Sequence, residues 1–223
     1  MLTKPRAITG FFLLGVLLAP ARANLITNGS FETGTFVPNQ WGWQTLYTND
    51  PSIPGWTIGP GCIDYIGPYW TAAQGSRSID LSGDGSQGTI WQSFPSTPGQ
   101  LYRVSFALAG NPDAQPRTTR IRIWVDDPAV TYRDFDFVVN GQSQSNPGWV
   151  YLSWDFTASS TSTRLGFSSL DTFDGIVWGR SWGYSFGPAL DDVSVEQVIP
   201  EPASLLLTVA GWLGLALLRR RRA

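Results

Sequence analysis

Short runs of alternating apolar and polar residues, separated by clusters of glycine, proline, asparagine and serine, make up most of the chain between residues 24 and 197. Helical periodicity is absent from this region. Because successive side chains of a strand point to opposite faces, such alternation is typical of strands that bury one face. The pattern predicts an all-β fold, a single jelly-roll-like antiparallel β-sandwich.

Five runs carry this alternation: YRVSFAL, RIRIWV, WVYLSWDF, TRLGF and ALDDVSV. The first four predict inward-facing side chains at Tyr102, Val104, Phe106, Leu108, Ile121, Ile123, Val125, Val150, Leu152, Trp154, Phe156, Leu165 and Phe167. The last run predicts that Asp191 shares a face with Val193 and Val195. The stretch from Gly34 to Gly75 lacks long alternation and is predicted to form loops and short strands.

The start of the chain has the features of a secretory signal. Lys4 and Arg6 precede the apolar stretch ITGFFLLGVLLAP, and the ARA sequence that ends at Ala23 fits a signal-peptidase site. Residues 1–23 are therefore predicted to be a signal peptide, and the protein is predicted to be exported. Signal peptidase is the partner that this implies.

The end of the chain predicts a short transmembrane helix. Residues 204–218 are uncharged and arginines follow at 219–222. A helix of that length spans about 22 Å, less than the roughly 30 Å hydrocarbon core, so a tail anchor would be short. With Pro200, Glu201 and Pro202 in front, residues 198–223 resemble the PEP-CTERM sorting signal. That resemblance implies transient anchoring in the inner membrane, cleavage by an exosortase and release to the cell surface or extracellular matrix.

Composition excludes several classes of function. Eight arginines and all 17 acidic residues lie between 24 and 203, which gives the exported part a net charge of −9. Such a domain is repelled by nucleic acid and by anionic membranes. The chain has no histidine, which removes His-based catalytic triads and the usual zinc sites. Cys62 is the only cysteine, so it cannot form an internal disulfide and is predicted to be buried.

Several sequence segments of the predicted exported region together resemble a second known family. The region opens with NLITNGSFE and closes with GPALDDVSV, with IPGWTI, GSRSIDLSG, GTIWQSFPSTPGQLYRVSFALAGNPD and FTASSTSTRLGF between them. Together they resemble the choice-of-anchor C family, a bacterial branch of the galactose-binding-like β-sandwich domains. Related carbohydrate-binding modules have the same opening and closing phrases. The resemblance implies one such domain over residues 24–197, with the opening loop beside the closing strand.

The same resemblance implies a structural calcium ion between the opening loop and the closing strand. Its expected ligands in this sequence are Asn28, Ser30, Glu32 and Asp191, because calcium binds carboxylate and other oxygen ligands. The alternative is that Glu32 and Asp191 accept hydrogen bonds from backbone or arginine donors.

Loop aromatics are the candidate ligand-binding residues, since pyranose rings stack on flat aromatic faces. Two clusters, within IDYIGPYW and VWGRSWGYSF, contain Tyr65, Tyr69, Trp70, Trp178, Trp182 and Tyr184. Possible carboxylate pairs for hydrolysis, such as Asp126 with Asp127 and Asp134 with Asp136, are better explained as turn or solvent-facing residues. We therefore expect a non-catalytic protein that binds polysaccharide. The alternative is a structural or adhesive matrix protein that acts through protein contacts.

Overall fold

The computed structural model describes residues 23–113, 115–172 and 185–199, together with the backbone of 176–177 and 180–181. Most of the predicted signal peptide and the Pro-Glu-Pro tail lie outside these residues, so both stay predictions. Within the described part, no helix is long and apolar enough to cross a membrane.

The described residues form antiparallel strands. Their bounds are β1 (Trp43–Tyr47), β2 (Thr57–Ile58), β3 (Cys62–Ile66), β4 (Ser78–Asp80), β5 (Ser82–Gly83), β6 (Ser86–Gln87), β7 (Thr89–Pro95), β8 (Leu101–Gly110), β9 (Arg117–Val125), β10 (Tyr132–Val139), β11 (Val150–Thr157), β12 (Ser162–Ser169), β13 (Ile176–Val177), β14 (Arg180–Ser181) and β15 (Pro188–Gln197). A six-stranded sheet has the order β1-β3-β4-β15-β8-β11, and a five-stranded sheet has the order β10-β9-β12-β7-β2. The predicted all-β antiparallel sandwich is confirmed.

The core lies between the two sheets and follows the alternation of the sequence. Phe106 of β8 contacts the rings of Phe135 and Phe167, which belong to the other sheet. On β9, Ile121 and Ile123 are fully buried, as predicted. On β11, Leu152, Trp154 and Phe156 pair in register with the inward residues of β8 and pack against the core. Burial of one apolar face per strand therefore accounts for the sandwich. The prediction that Val150 faces inward is wrong, because it begins the edge strand of its sheet and is 40% exposed.

The closing strand departs from simple alternation. Leu190 pairs with Leu108 and Asp191 with Ala107, but the register shifts before Ser194. The extra residue is a β-bulge, at which two residues of one strand oppose one of its partner. Asp191 therefore lies on the outer face of the six-stranded sheet, opposite to Val195. The prediction that Asp191 shares a face with Val193 and Val195 is wrong, because the bulge reverses the alternation after it.

The opening segment runs beside the closing strand, as the family resemblance implied. Leu25 donates its backbone N–H to the carbonyl of Val195 at 2.9 Å, and the Val193 N–H donates to the carbonyl of Gly29 at 2.9 Å. The Asn24 amide oxygen accepts the Val195 N–H, and its amide nitrogen donates to the Val193 carbonyl. These hydrogen bonds join residues about 170 positions apart in the chain and close the sandwich.

The contact at Gly29 gives a stability prediction. A Cβ atom there would lie 1.9 Å from the Val193 carbonyl oxygen, so Gly29→Ala must push the opening segment off the closing strand. We expect the free energy of unfolding, measured with urea, to fall by about 2–3 kcal/mol. The control is Gly99→Ala, where a Cβ meets nothing within 4 Å but φ is +79°, and we expect a loss of about 1 kcal/mol. Equal losses for the two variants would contradict the steric explanation.

Candidate functional site

A cleft of about 320 Å³ opens on the outer face of the six-stranded sheet, over β1, β3 and the segment before β15. Its lining residues are Asn39, Trp41, Trp43, Thr45, Asp64, Ile66, Tyr69, Asp84, Asn111, Ser185 and Phe186. The set combines aromatic rings with carboxylate, amide and hydroxyl groups, the mixture that small polar ligands require. We refer to it below as the aromatic cleft.

Three rings shape this cleft. The rings of Trp43 and Tyr69 meet edge to face, with centroids 4.6 Å apart, so each fixes the orientation of the other. Trp41 lies at the rim and is 62% exposed. The Asn39 carboxamide oxygen accepts the backbone N–H groups of Trp41 and Gly42, which holds the tight turn that carries the exposed indole. A large flat apolar surface is therefore presented to solvent at a defined position.

Asp64 lies at the base of the cleft, and only 8% of it is exposed. Its Oδ1 atom accepts the hydroxyl of Thr45 at 2.6 Å, while no hydrogen bond from the described residues reaches Oδ2. Burial raises the pKa of the Asp64 carboxyl to about 7, and the nearby Asp84 adds to the rise. The carboxyl therefore titrates near neutral pH and presents one free oxygen to a bound ligand.

Asp80 pairs with Asp64 across β3 and β4, but its hydrogen bonds are complete. Oδ1 accepts the backbone N–H groups of Ser82 and Gly187, and Oδ2 accepts the side-chain amide of Asn111 at 2.9 Å. Burial raises its pKa to about 8, with the charge of Asp64 as the next cause. Asp80 thus has a structural role, in which it positions Asn111 at the cleft and anchors the start of β15.

The loop between β3 and β4 supplies Tyr69 and is tied down by two carboxylates. The Asp191 Oδ2 atom accepts the N–H groups of Ala73 and Gln74 at 2.8 and 2.9 Å. The Glu32 Oε1 atom accepts the N–H groups of Ser76 and of the residue after it, both at 2.7 Å. Burial raises the pKa of Asp191 to about 7. The bulge that turns Asp191 outward is therefore what lets it hold this loop.

These hydrogen bonds bear on the expected calcium ligands. The acceptor atoms of Glu32 and Asp191 are occupied by N–H groups, and the Asn28 amide oxygen accepts the N–H of Thr33. In the part of the chain that the structure describes, no group of three or more His, Cys, Asp or Glu residues could hold a metal ion. In this arrangement Glu32 and Asp191 have the alternative role, as hydrogen-bond acceptors. Calcium binding, which would include Ser30, stays a prediction.

The predicted aromatic ligand residues separate into three groups. Tyr69 lines the cleft. Tyr65 is fully buried and its hydroxyl donates to the carbonyl of Phe31, so it belongs to the core, because β3 turns it inward. Trp70 is only 4% exposed and donates its indole N–H to Ser78, and it lines a second cavity that is described below. The rest of the prediction, Trp178, Trp182 and Tyr184, lies outside the described residues.

A second, more open cavity of about 660 Å³ adjoins the first at Tyr69, which lines both. Amide and hydroxyl side chains dominate its other wall: Gln115, Gln142, Ser143, Gln144 and Ser145. Asp113 also lines it, and burial raises the pKa of that carboxyl. Because Tyr69 lines both cavities, they are neighbours on this surface, and we refer to the two together as the groove.

The candidate carboxylate pairs are not arranged for hydrolysis. Asp134 and Asp136 form bidentate ion pairs with Arg122 and Arg120 on the neighbouring strand of the five-stranded sheet. The Asp127 carboxylate accepts the N–H of Ala129 in the turn after β9. These acidic side chains therefore have the surface and turn roles that were expected from the sequence.

Sequence reasoning singled out neither Asp64 nor Asn111. A signal for Asp64 was present, since it is the one acidic residue in the otherwise apolar run CIDYI. A buried carboxylate in such a strand needs a partner or a function. Asn111 had no comparable signal, because it stands in GNPD, where a turn role is a sufficient explanation.

Comparison with known proteins identifies a family. The model described as "Protein of unknown function (DUF642)" matches residues 24–196. The chain is 29% identical over 193 residues to halomucin from Haloquadratum walsbyi, and 24% identical over 192 residues to Protein DUF642 L-galactono-1,4-lactone-responsive gene 1 from Arabidopsis thaliana. These matches cover 85% and 83% of this chain, but only 2% and 46% of those relatives.

Solved structures with a similar arrangement include two carbohydrate-binding modules. One is TmCBM61 in complex with beta-1,4-galactotriose, with a TM-score of 0.46, 17% identity and coverage of 79% of this chain and 99% of that chain. Another is the CBM22-1 xylan-binding domain from Paenibacillus barcinonensis Xyn10C, with a TM-score of 0.43, 18% identity and coverage of 82% and 99%.

The raised pKa of Asp64 gives a prediction on pH and stability. Between the ordinary Asp pKa near 4 and about 7, the folded state binds more protons than the unfolded state. Raising the pH through this window therefore lowers the free energy of unfolding. Asp64→Asn removes this contribution, so the variant gains on the order of 2–4 kcal/mol relative to the wild type between pH 4 and pH 8.

Urea unfolding at several pH values measures this difference. The control is Asp136→Asn, because the hydrogen bond from Arg120 lowers the pKa of the Asp136 carboxyl and reverses the sign. Its effect is small because that pair is exposed. A pH-independent difference between Asp64→Asn and the wild type would contradict the prediction.

Proposed function

This chain belongs to the DUF642 family, and we propose that its domain is a non-catalytic, exported carbohydrate-binding domain. The ligand is a polysaccharide that lies in the aromatic cleft. The observation that carries the proposal is the cleft itself, where Trp41, Trp43 and Tyr69 surround the free oxygen of Asp64. Exposed indole and phenol faces stack on the C–H faces of a sugar, and the polar groups receive its hydroxyls.

The groove supports a chain rather than a single sugar as the ligand. Tyr69 lies where the two cavities meet, so sugar units on both sides of it would contact the same ring. The side chains of Gln142 and Gln144 would offer amide donors and acceptors to the hydroxyls of the next unit. We therefore expect affinity to rise with oligosaccharide length.

The setting of this activity rests on the sequence. The N-terminal apolar stretch and the ARA site that ends at Ala23 support export and cleavage by signal peptidase. The PEP-CTERM resemblance supports sorting by an exosortase and a final location at the cell surface or in an extracellular matrix. The tail that includes Pro200, Glu201 and Pro202 would anchor the protein only until cleavage. A mature protein whose mass still includes the arginines at 219–222 would contradict this sorting proposal.

Calcium is a separate part of the proposal, as a structural ion at Asn28, Ser30, Glu32 and Asp191. Thermal unfolding with and without a chelator tests it directly. A lower melting temperature in the chelator would support calcium binding. An unchanged melting temperature would leave these residues as hydrogen-bond acceptors only.

A structural or adhesive role is the second candidate, favoured by exposed apolar side chains on the five-stranded sheet. Val130, Tyr132 and Val138 are 74%, 45% and 61% exposed, and such surfaces can pack against other proteins. This role predicts salt-insensitive self-association, measured by sedimentation, that Val138→Ser weakens. It predicts no effect of substitutions in the aromatic cleft.

A glycan array with the processed domain, followed by titration calorimetry, tests carbohydrate binding. We expect Trp41→Ala to weaken binding of the best ligand about tenfold without loss of stability, because the exposed indole contributes stacking and little packing. The matched control is Tyr132→Ala, which removes an exposed ring from the other sheet and should leave affinity unchanged. Failure of every glycan to bind, or equal effects of the two variants, would contradict the proposal.

A further inference from the structure

Two carboxylates in the aromatic cleft have oxygen atoms without hydrogen-bond partners among the described residues. Asp64 uses only Oδ1, toward Thr45, although the residue is more than nine-tenths buried. Asp84 is exposed, and only its backbone carbonyl accepts a hydrogen bond, from the thiol of Cys62. Both side chains line the same cavity as the three aromatic rings. A ligand is the natural source of the missing donors.

The described lining of the cleft supplies no positive charge to balance the carboxylates of Asp64 and Asp84. No arginine or lysine is among the described residues that line it. Two described arginines have other partners, since Arg117 forms a buried ion pair with Asp171 and Arg77 lies over the ring of Phe36 at 3.9 Å. Asp80, which pairs with Asp64 on the neighbouring strand, is a further acidic residue beside the cleft. The cleft is therefore an acidic pocket with aromatic walls.

We propose that the aromatic cleft selects polysaccharides that contain free amino sugars, whose ammonium group pairs with Asp64 and Asp84. This inference rests on the proposed function and specifies its ligand class. An ammonium supplies three N–H donors and a positive charge, which matches carboxylate oxygens that lack donors. The ring C–H faces of the same sugar stack on Trp41 and Tyr69, as for any pyranose.

The same arrangement disfavours two other ligand classes. A uronic acid would bring a third negative charge to a cleft without a described cation, and the exported part of the chain already has a net charge of −9. A bare metal ion is disfavoured because the described acidic residues do not form a group of three that could hold one. An acetylated amino sugar keeps the stacking surface but loses the charge, so it should bind more weakly.

Titration calorimetry with matched short oligosaccharides tests the preference over a pH series around 7, because the sugar ammonium and the Asp64 carboxylate, whose pKa is about 7, must be charged together. The probes are a β-1,4-linked glucosamine tetramer, its fully N-acetylated form and a galacturonate tetramer. We expect the free amine form to bind about tenfold more tightly than the acetylated form, because a charge-assisted hydrogen bond is stronger than a neutral one. The uronate should bind most weakly. Equal affinity for the amine and acetyl forms would overturn the proposal.

Charge variants separate the cleft from general attraction to an acidic protein. Asp84→Asn should reduce the preference for the amine form severalfold and leave binding of the acetylated form unchanged. Asp64→Asn should do the same, and its urea unfolding transition reports independently that it is folded. The matched control is Asp127→Asn, which makes the same change of charge in an exposed turn and should leave the preference intact.

The outcomes also distinguish the amino-sugar proposal from the proposal of carbohydrate binding in general. Tight binding of neutral glycans in the cleft without any preference for amines would overturn the amino-sugar proposal and keep carbohydrate binding. An equal loss of preference in Asp84→Asn and Asp127→Asn would mean non-specific attraction and would overturn it as well. Absence of binding to all three probes and to every glycan of the array would overturn both.

Discussion

Hydrogen bonds from the loop between β3 and β4 to two carboxylates hold together the region on which the candidate site depends. Asp191 binds the loop at Ala73 and Gln74, and Glu32 binds it at Ser76 and Arg77. Four backbone N–H groups are satisfied by two side chains from opposite ends of the domain. Because this loop carries Tyr69, the wall of the cleft depends on these contacts.

The geometry of the loop leaves little freedom for other sequences. Gly75 has a φ of +68°, and a Cβ atom there would lie 2.4 Å from the Glu32 carboxyl carbon. A left-handed backbone next to a carboxylate is a position that only glycine fills without strain. The turn therefore presents its N–H groups to Glu32, and the preceding residues are directed across the outer face of the sheet.

The outer face also shows how a buried carboxyl can have either a structural or a functional role. Asp80 is fully hydrogen bonded and joins β4 to Asn111 and Gly187. Asp64, its direct partner across the sheet, has one oxygen without a described donor. Burial of such a group costs stability in the free protein. A ligand that donates a hydrogen bond to this oxygen would offset the loss of stability. Such a role is consistent with the raised pKa of Asp64.

Much of the fold could be predicted from the sequence, and less of the site. The inward residues of β8, β9 and β12 follow from alternation alone, because side-chain direction in a strand is a local property. The face of Asp191 could not be predicted, because the bulge that reverses it has no marker in ALDDVSV. Tyr65 and Tyr69 belong to one aromatic cluster in the sequence, yet one packs in the core and the other lines the cleft.

The sequence by itself determined the class of fold, the acidic character of residues 24–203 and the absence of histidine chemistry, since these depend on composition and local periodicity. Only the tertiary structure decided which aromatic rings and carboxylates meet. Asp64 and Asn111 are 47 positions apart in the chain, and β3, β4, β15 and β8 bring them to one cleft. Side chains on strands that are adjacent only through long-range pairing cannot be assigned to one site until the strand order is known.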